Sequence, residues 1–334
     1  MPQQVRWRRQ KNLSYSENNT VTEELGRGMI YRELYLRLRC TLEAAAGNAV
    51  TQANTERGDH WGIVRDIKIV ANGSQVLRRF SGNELRWINK LIYGYNPRNP
   101  LAPGIAAEGT LAIDDTLIIP FWSPTSIRPI DTALDARLLS SLEIEVTWGD
   151  AADVSSATSF SFSVDPTLQV CSLESFGISA DFATDRIFKI QSNGVAANDN
   201  FEVDIPVNDV YRAFLINASA SDVDQSYLDN IKLKSGTTVF ADLPAQVLKD
   251  STLLRQGIQI GYDDAGTAND QVFVSADSDI EGWYLLNLIT DGRLSEGVDA
   301  RGLAELKLEL NVNTQADIVV LPYSFTPVTP SNGG

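Results

Sequence analysis

Histidine and cysteine, the residues most used for nucleophilic catalysis and zinc binding, are scarce in this chain. His60 is the only histidine among 334 residues, and Cys40 and Cys171 lie far apart without a CxxC pair. A Ser-His-Asp or Cys-His site would depend on His60, yet neither a GxSxG nor a papain-type nucleophile motif is present. The pattern therefore argues against such an active site, a zinc site or a disulfide framework, and predicts two buried, reduced thiols.

Acidic side chains are abundant, so their spacing decides what chemistry they indicate. No pair of carboxylates is singled out, which leaves a glycan hydrolase of the two-carboxylate type as a minor alternative. The loop pairs that could each give calcium two oxygen ligands lack EF-hand spacing; they are Asp222/Asp224, Asp263/Asp264 and Asp277/Asp279. We expect no cofactor and no catalytic residue, with a structural calcium ion left open.

Charge is distributed unevenly along the chain. The whole sequence has 28 Lys+Arg and 43 Asp+Glu, a net charge of −15. Residues 1–150 hold 18 basic and 17 acidic residues (+1), and residues 151–334 hold 10 and 26 (−16). The first twelve residues contain no acid and include a basic, aromatic cluster, Arg6, Trp7, Arg8, Arg9 and Lys11. Such a cluster can attract anionic lipid or nucleic acid, which the acidic remainder would repel.

Length and composition are those of a globular protein with about two domains. The chain is 43% apolar and 21% charged, which supplies enough apolar residues for two cores. No apolar run approaches the roughly 20 residues that span a bilayer, and the first residues lack the apolar core of a secretion signal. We therefore expect a soluble chain that is made without export.

Alternation with period 2, the signature of half-buried strands, runs through the sequence. In Tyr31–Leu42, Leu34, Leu36, Leu38, Cys40 and Leu42 recur at every second position, while Glu33, Arg37, Arg39 and Thr41 fall on the other face. The same pattern predicts strands at Ile63–Val70, Leu142–Trp148, Phe160–Val164, Phe201–Val207 and Leu306–Val312. Shorter apolar runs predict further strands at Thr110–Ile113, Thr116–Trp122, Tyr211–Ile216, Val272–Val274, Trp283–Ile289 and Ile318–Tyr323.

Two segments have helix signals. Ser81 and Glu84 form a capping box ahead of an apolar stripe, which predicts a helix over Gly82–Tyr93. A second helix is predicted over Leu243–Gln256, because Pro244 suits a first turn and Gly257 a C-terminal stop. Each helix follows a strand and a tight turn.

An internal repeat links these segments. Ile67-Lys68-Ile69 matches Ile231-Lys232-Leu233 at an offset of 164 residues, and both continue through a glycine turn into the helices. At the same offset Leu134-Asp-Ala-Arg137 matches Val298-Asp-Ala-Arg301. Two separated matches with one offset predict a duplicated β domain, too long for a solenoid repeat.

The expected organisation follows from the repeat and the loops. We predict a basic N-terminal tail and lead-in (1–28), a first sandwich (29–154), a second sandwich (155–326) and a flexible C-terminal tail (327–334), with the boundary in the small, polar segment 149–158. Long irregular segments at 44–60, 94–109, 124–132 and 261–282 predict ornamented loops, which are commonly functional. The fold class is all-β, with one short helix in each half.

Two eight-stranded antiparallel sandwiches of this kind in tandem form a double jelly roll. The duplicated strand–turn–helix unit (IKIVANGSQVLRRFSGNELRWINKLIYG and IKLKSGTTVFADLPAQVLKDSTLLRQG), the LIIPFW segment, the basic start and the length resemble a known family. It is that of the double jelly-roll major capsid proteins of icosahedral bacteriophages with an internal membrane, of the corticovirus, tectivirus and Finnlakeviridae type.

The resemblance implies a function and partners. Members of that family form homotrimers with a pseudo-hexagonal outline, which contact neighbouring capsomers, penton and minor capsid proteins. It implies a location in the virion shell after assembly in the host cytoplasm, no enzymatic activity, and an N-terminus at the inner viral membrane without direct contact to nucleic acid. Arg6, Trp7, Arg8, Arg9 and Lys11 would then face lipid, while Trp87 and Leu91, which lie off the apolar stripe of their helix, are candidate contacts between the two rolls.

One other class stays open from the residues themselves. A carbohydrate- or receptor-binding β-sandwich, such as a phage spike, has a similar architecture. The absence of fibrous repeats argues against a spike shaft, and the few aromatic residues in loops argue mildly against a sugar-binding platform.

Overall fold

A computed structural model describes residues 4–44, 60–94, 105, 107–121, 132–154, 160–176, 183–219, 227–256, 263–264, 271–272, 282–289, 293 and 296–327. Strands dominate these residues, and the chain divides into two compact units. The first unit comprises 1–188 with 327–334, and the second comprises 189–326.

The described part of the first unit contains ten strands and one α-helix. They are β1 Gln4–Ser14, β2 Thr20–Glu24, β3 Ile30–Ala44, β4 Val64–Ala71, β5 Gln75–Phe80, α1 Gly82–Leu91, β6 Thr110–Pro120, β7 Leu134–Asp135, β8 Leu142–Trp148, β9 Phe160–Phe176 and β10 Ala183–Ile187. One antiparallel sheet has the order β1-β9-β3-β6, and a second has the order β5-β4-β8-β2. The two-residue β7 pairs with β3, and β10 runs parallel to β5.

This strand order is that of a jelly roll. When the eight long strands of the two sheets (β1–β6, β8 and β9) are counted along the chain, one sheet has the order first, eighth, third, sixth. The other has the order second, seventh, fourth, fifth. Two four-stranded sheets connected in this way form the doubled Greek key of the jelly roll.

The second unit repeats the arrangement. Its described elements are β11 Ile190–Val195, β12 Asn198–Ile205, β13 Val210–Ser219, β14 Leu228–Ser235, β15 Thr238–Pro244, α2 Ala245–Gln256, β16 Asp263–Asp264, β17 Gln271–Val272, β18 Trp283–Asn287, β19 Val298–Asp299, β20 Leu306–Val312 and β21 Ala316–Pro327. The sheets have the orders β11-β21-β13-β18 and β12-β20-β14-β15. The predicted fold class, two eight-stranded jelly rolls with one helix each, is confirmed.

The 164-residue repeat is preserved in the fold. The bounds of β4 and β14, of β7 and β19, and of β8 and β20 differ by 164 residues. Contacts repeat as well: Lys68 Nζ lies 3.3 Å from a carboxylate oxygen of Glu145, and the equivalent Lys232 lies 3.5 Å from Glu309.

A second correspondence, at an offset of 180 residues, is not visible in the sequence alone. Tyr31 on β3 and Tyr211 on β13 each donate a hydroxyl hydrogen bond of 2.5 Å to a carbonyl five residues earlier. Immediately after each tyrosine the strand register shifts, so that Arg32 and Arg212 occupy equivalent β-bulges. The offset changes from 180 to 164 because the first unit has 16 more residues from the start of its third strand to the start of its fourth, 30 to 64 against 210 to 228.

Buried and partly exposed side chains alternate along the strands, which places the apolar core of each unit between its two sheets. In β8 the side chains of Leu142, Ile144, Val146 and Trp148 are completely buried, and their neighbours are partly exposed. The equivalent β20 shows the same pattern. Interdigitation of such faces across about 10 Å makes a sandwich rigid.

The two helices begin where their local signals place them, within two residues. In α1, Ser81 Oγ accepts from Glu84 N (3.2 Å) and Glu84 accepts from Ser81 N (2.7 Å), which is the predicted capping box. The helix ends at Leu91, two residues before the predicted Tyr93. Helix α2 starts at Ala245 because Leu243 and Pro244 still pair with β14.

The domain limits differ from the expected ones at two places. Gln4–Ser14 is a strand instead of part of a tail, because it pairs with β9 over nearly its whole length. The first unit extends to Phe188 instead of 154, because β9 pairs with both β1 and β3, and β10 pairs with β5. The expected end of the second roll at 326 coincides with the end of the second unit, and residues 328–334 lie outside the described residues.

Candidate functional site

The basic residues near the N-terminus lie on an edge strand. β1 pairs with β9 on one side and ends its sheet, within the described residues, on the other. Side chains alternate between the two faces of such a strand. Arg6 and Gln10 therefore lie on one face, and Trp7 and Arg9 lie on the opposite one.

Arg6 is held by a buried carboxylate. Glu174, on β9, is completely buried, and its Oε2 accepts from Arg6 Nε (3.2 Å) and Nη2 (3.0 Å). Its Oε1 accepts from Gln10 Nε2 and from Ser172 Oγ, both at 2.6 Å. The guanidinium also stacks over Phe176 at 5.1 Å. This network fastens β1 to β9 and neutralises the charge of Arg6.

The other members of the basic cluster are more exposed. The Trp7 side chain is 64% exposed and contacts Tyr35, with ring centroids 5.0 Å apart. Lys11 forms a surface ion pair with Glu23 at 3.1 Å. Among the described residues no acid lies within ion-pair distance of Arg8 or Arg9, which are both exposed. By the same alternation Arg9 shares the face of Trp7 and Arg8 shares that of Arg6, so the exposed part of the cluster that lacks an acidic partner is divided between the two faces of this edge strand.

The candidate contacts between the two rolls, Trp87 and Leu91, are buried to 8% and 1% exposure. Helix α1 packs against β4 and β6 of its own unit. Trp87 lies beside two cations of the same helix, with Lys90 Nζ 5.0 Å and Arg86 Cζ 6.0 Å from the ring centroid. A role of these two residues in contacts between the rolls stays a prediction.

The lone histidine belongs to a buried cluster. His60 is 1% exposed, and its Nε2 lies 3.0 Å from Asp115 Oδ2, to which Trp61 Nε1 also donates at 2.9 Å. Thr116 N donates to Asp115 Oδ1 at 2.8 Å. The cluster ties the residues before β4 to β6. His60 is closed to solvent and is held by Asp115, so in this cluster its side chain positions structure.

The ionisation of Asp115 gives an expected pH dependence. Burial alone would raise the pKa of this carboxyl, but the hydrogen bonds from His60 and Trp61 outweigh it and hold the pKa below its ordinary value of 3.8. A folded-state pKa below the unfolded one gives stability that is present above about pH 4 and is lost as the pH falls through the folded value. Asp115→Asn should therefore cost about 1–3 kcal/mol at pH 7, and the difference from wild type should shrink below pH 4.

Urea unfolding at a series of pH values from 7 to 3 measures this effect. Asp114→Asn is the matched control, because Asp114 is exposed and pairs with Arg37 at the surface; it should change the free energy of unfolding by less than about 1 kcal/mol. An Asp115→Asn deficit that stays constant down to pH 3 would contradict the assignment.

The two cysteines are free thiols that differ in burial. Cys40 is buried, which raises the pKa of its thiol to about 12, whereas Cys171 is only partly buried; both are free.

The pairs Asp222/Asp224 and Asp277/Asp279 lie outside the described residues, and Asp263 and Asp264 form β16. Within the described part of the chain, no three potential ligands are grouped around a metal-sized site. Neither described helix is long and apolar enough to cross a membrane.

Sequence reasoning missed a buried ion pair and a charge ladder. Arg78 on β5 is completely buried and lies 3.4 Å from Asp185 of β10. On the outer face of the second unit, Lys234 and Lys307 bind Glu202 at 2.8 and 2.6 Å, and the hydrogen bond from Lys234 helps to lower the pKa of Glu202 to about 2. Long-range partners of this kind leave no local pattern.

Comparison with known proteins finds likeness in structure only. No protein-family model and no curated protein matches the sequence. The major capsid protein of STIV superposes with a TM-score of 0.75 at 12% identity, covering 97% of this chain and 97% of that one. The major capsid protein P2 of bacteriophage PM2 gives 0.62 at 14% identity, covering 98% and 99%. The Faustovirus major capsid protein gives 0.56 at 9% identity, covering 98% and 90%. At these identities the likeness establishes the double jelly-roll fold.

Proposed function

We propose that this chain is the major capsid protein of an icosahedral virus, located in the virion shell and assembled in the host cytoplasm. The observation that carries the proposal is that two complete jelly rolls of identical strand order occupy almost the whole chain. The similar structures match over that same full length and are shell proteins.

The physical properties of the two units suit a subunit of a capsid shell. Each unit has a closely packed core between two sheets, which resists deformation. The second unit is strongly acidic: residues 189–326 hold 9 basic and 21 acidic residues, a net charge of −12. An acidic exterior keeps particles apart in solution. The buried His60–Asp115 cluster agrees with a structural role without catalysis.

We further propose that three copies form a pseudo-hexagonal capsomer, in which six jelly rolls alternate around a ring and contact neighbouring capsomers, penton and minor capsid proteins. The purified chain should behave as a trimer by light scattering, and negative-stain images should show hexagonal capsomers or closed shells. A monomer under all conditions, or measurable glycan hydrolysis, would reject the proposal.

We propose that the exposed part of the basic cluster meets the anionic surface of an inner viral membrane. Trp7 suits the interface between headgroups and acyl chains, and each exposed cation near such a surface contributes about 1 kcal/mol. Since Arg6 and Lys11 are paired with Glu174 and Glu23, the available cations are Arg8 and Arg9.

Replacing Arg8 and Arg9 with serine should weaken binding to phosphatidylserine-containing vesicles about 10- to 30-fold. Vesicle co-sedimentation at low and high salt measures the effect. The control is Arg27→Ser/Arg39→Ser, which removes two positive charges elsewhere in the first unit, between β2 and β3 and on β3. This variant should bind the vesicles within about twofold of the wild type. Equal losses in the two variants would show a general charge effect and reject the membrane-facing site.

A further inference from the structure

Two described segments contain the dipeptide Asn-Gly, in which an asparagine is most prone to lose its side-chain amide. They are Asn72-Gly73, between β4 and β5, and Asn193-Gly194, in β11; a third, Asn332-Gly333, lies outside the described residues. The backbone nitrogen of the glycine attacks the side-chain carbonyl carbon of the asparagine, and glycine has no Cβ to hinder this approach. The contacts of each dipeptide therefore determine whether the reaction proceeds.

Asn193 and Gly194 form a β-bulge. In the pairing of β11 with β21 the two residues together lie opposite the single residue Asp317. A bulge interrupts the ladder of backbone hydrogen bonds and leaves its extra residue unpaired. Gly194 has a φ of 62°, and both residues are exposed to water. The dipeptide is thus held less firmly than its neighbours in the strand and is open to solvent.

Two side chains contact the groups that would react. Gly194 N, the attacking atom, donates to Asp317 Oδ1 at 2.6 Å. Asn193 Oδ1, the oxygen of the attacked carbonyl, accepts from Gln191 Nε2 at 2.7 Å. A carboxylate within hydrogen-bond distance of the N–H is placed to take its proton. A donor at the carbonyl oxygen stabilises the negative charge that develops there during the attack.

The other described Asn-Gly dipeptide has different surroundings. Asn72 has a φ of 52°, in the left-handed region, where ψ is near +47° and the nitrogen of the next residue is turned away from the asparagine side chain. Ser140 N and Oγ donate to Asn72 Oδ1 at 2.8 and 3.1 Å, and Gly73 N donates to Ser141 Oγ at 2.9 Å. A neutral hydroxyl, unlike a carboxylate, is not a base near neutral pH. Asn72 therefore has donors at its carbonyl oxygen but lacks both the base and the backbone conformation for attack.

We propose that Asn193 is a self-modification site, at which the chain converts this asparagine to aspartate and isoaspartate without an enzyme. Gly194 N forms a bond to Asn193 Cγ while its proton passes to the Asp317 carboxylate. The bond between Cγ and Nδ2 then breaks, and ammonia leaves with that proton. The product is a five-membered succinimide ring. Water opens the ring at either of its two carbonyls, which gives an aspartate or an isoaspartate at position 193.

The modification changes both charge and backbone. Each event adds one negative charge to the second unit, whose net charge is −12 before it. Isoaspartate also adds one carbon atom to the backbone of β11. Among the described residues β11 pairs only with β21, at the end of its sheet, so the added atom falls outside the apolar core. The modification thus accumulates with the age of the protein and leaves the fold intact.

Incubation of the full chain near neutral pH, followed by trypsin digestion and mass spectrometry, measures the reaction. Trypsin releases the two asparagines in the peptides Ile190–Arg212 and Ile69–Arg78. The amide-to-acid mass change and isoaspartate should appear in the first peptide at least about tenfold faster than in the second. Asn193→Gln should abolish the change in Ile190–Arg212, because the longer side chain would have to close a less favourable six-membered ring. Equal rates in the two peptides, or a change that persists in Asn193→Gln, would overturn the assignment.

The donor is tested separately from the base. Gln191→Leu removes the hydrogen bond to Asn193 Oδ1 and should slow the reaction about threefold or more. An unchanged rate in this variant would show that Gln191 does not take part.

Asp317→Asn removes the base and should slow the reaction at least about tenfold. The wild-type rate should change little between about pH 6 and pH 8, whereas the rate in Asp317→Asn should rise about tenfold per pH unit, because hydroxide is then the base. Asp199→Asn is the matched control: it removes the same charge from an exposed residue of β12 and should leave the rate within about twofold. If Asp317→Asn reacts as fast as the wild type or faster, the bond to Gly194 protects the site and the proposal is wrong.

Discussion

Replacing Arg78 with methionine is expected to lower the free energy of unfolding by about 3–5 kcal/mol, the usual cost of leaving one partner of a buried ion pair without the other. The Arg78 guanidinium is completely buried, lies 3.4 Å from Asp185 Oδ2 and donates to Pro120 O at 3.2 Å and to Leu77 O at 3.0 Å. It also lies over the Phe121 ring at 5.1 Å. Methionine fills the volume but removes the hydrogen bonds that the Asp185 carboxylate and the two carbonyls accept from the guanidinium. Urea unfolding measures the change.

Two further variants separate the ion pair from side-chain packing. Arg79→Met on the same strand removes a surface cation that is 3.3 Å from Asp66 and should cost less than about 1 kcal/mol. Arg78→Met/Asp185→Leu removes both charges and should recover much of the lost stability, since an apolar pair can replace a buried ion pair. A double variant as unstable as Arg78→Met would contradict this explanation.

Replacing Glu174 with leucine is expected to detach β1 from its sheet. The substitution removes the carboxylate that accepts hydrogen bonds from Gln10, Ser172 and Arg6. The loss of these bonds and of the counter-ion of Arg6 should cost about 2–4 kcal/mol. Because β1 is an edge strand, this loss should favour its local opening. The open state of β1 should be at least about thirtyfold more populated than in the wild type. Limited trypsin digestion should then cut after Arg6, Arg8 or Arg9 much faster than in the wild type, while the sites after Arg37 on β3 and Lys68 on β4 remain protected.

Glu23→Leu is the matched control, because Glu23 also holds a cation of β1 but at the surface, where Lys11 lies 3.1 Å away. It should change the cleavage rate by less than about fivefold. Equal rates for Glu174→Leu and the wild type would mean that backbone pairing with β9 holds β1 without the carboxylate.

Sequence patterns predict elements well where burial alternates along one segment. The ranges Leu142–Trp148 and Leu306–Val312 agree with β8 and β20 at both ends. The capping box at Ser81 locates the start of α1, because both of its hydrogen bonds are local. The repeat is recognisable for the same reason: the strand–turn–helix segments keep their length in both copies.

Patterns fail where a distant segment decides the structure. β1 has charged residues at both alternating positions, so no amphipathic face marks it as a strand; its pairing with β9, more than 150 residues away, makes it one. In β9 the apolar alternation is interrupted at Ser172, Glu174 and Ser175, which are buried because they bond to Arg6, Gln10 and Arg32. On α2, Val247 and Leu254 are 47% and 84% exposed, which has no sequence signal, since both are ordinary residues for a helix core.

The unequal length of the third strands makes the two rolls distinguishable. β3 has 15 residues and β13 has 10, and at about 3.3 Å per residue the surplus lengthens one sheet of the first roll by roughly 17 Å. An antibody fragment raised against the extra strand ends, at Thr41–Ala44 and the paired Thr110–Ile113, would bind once per chain. A capsomer of three chains would then bind three fragments and not six, and the labelled particle would display threefold symmetry on an outline that otherwise looks sixfold.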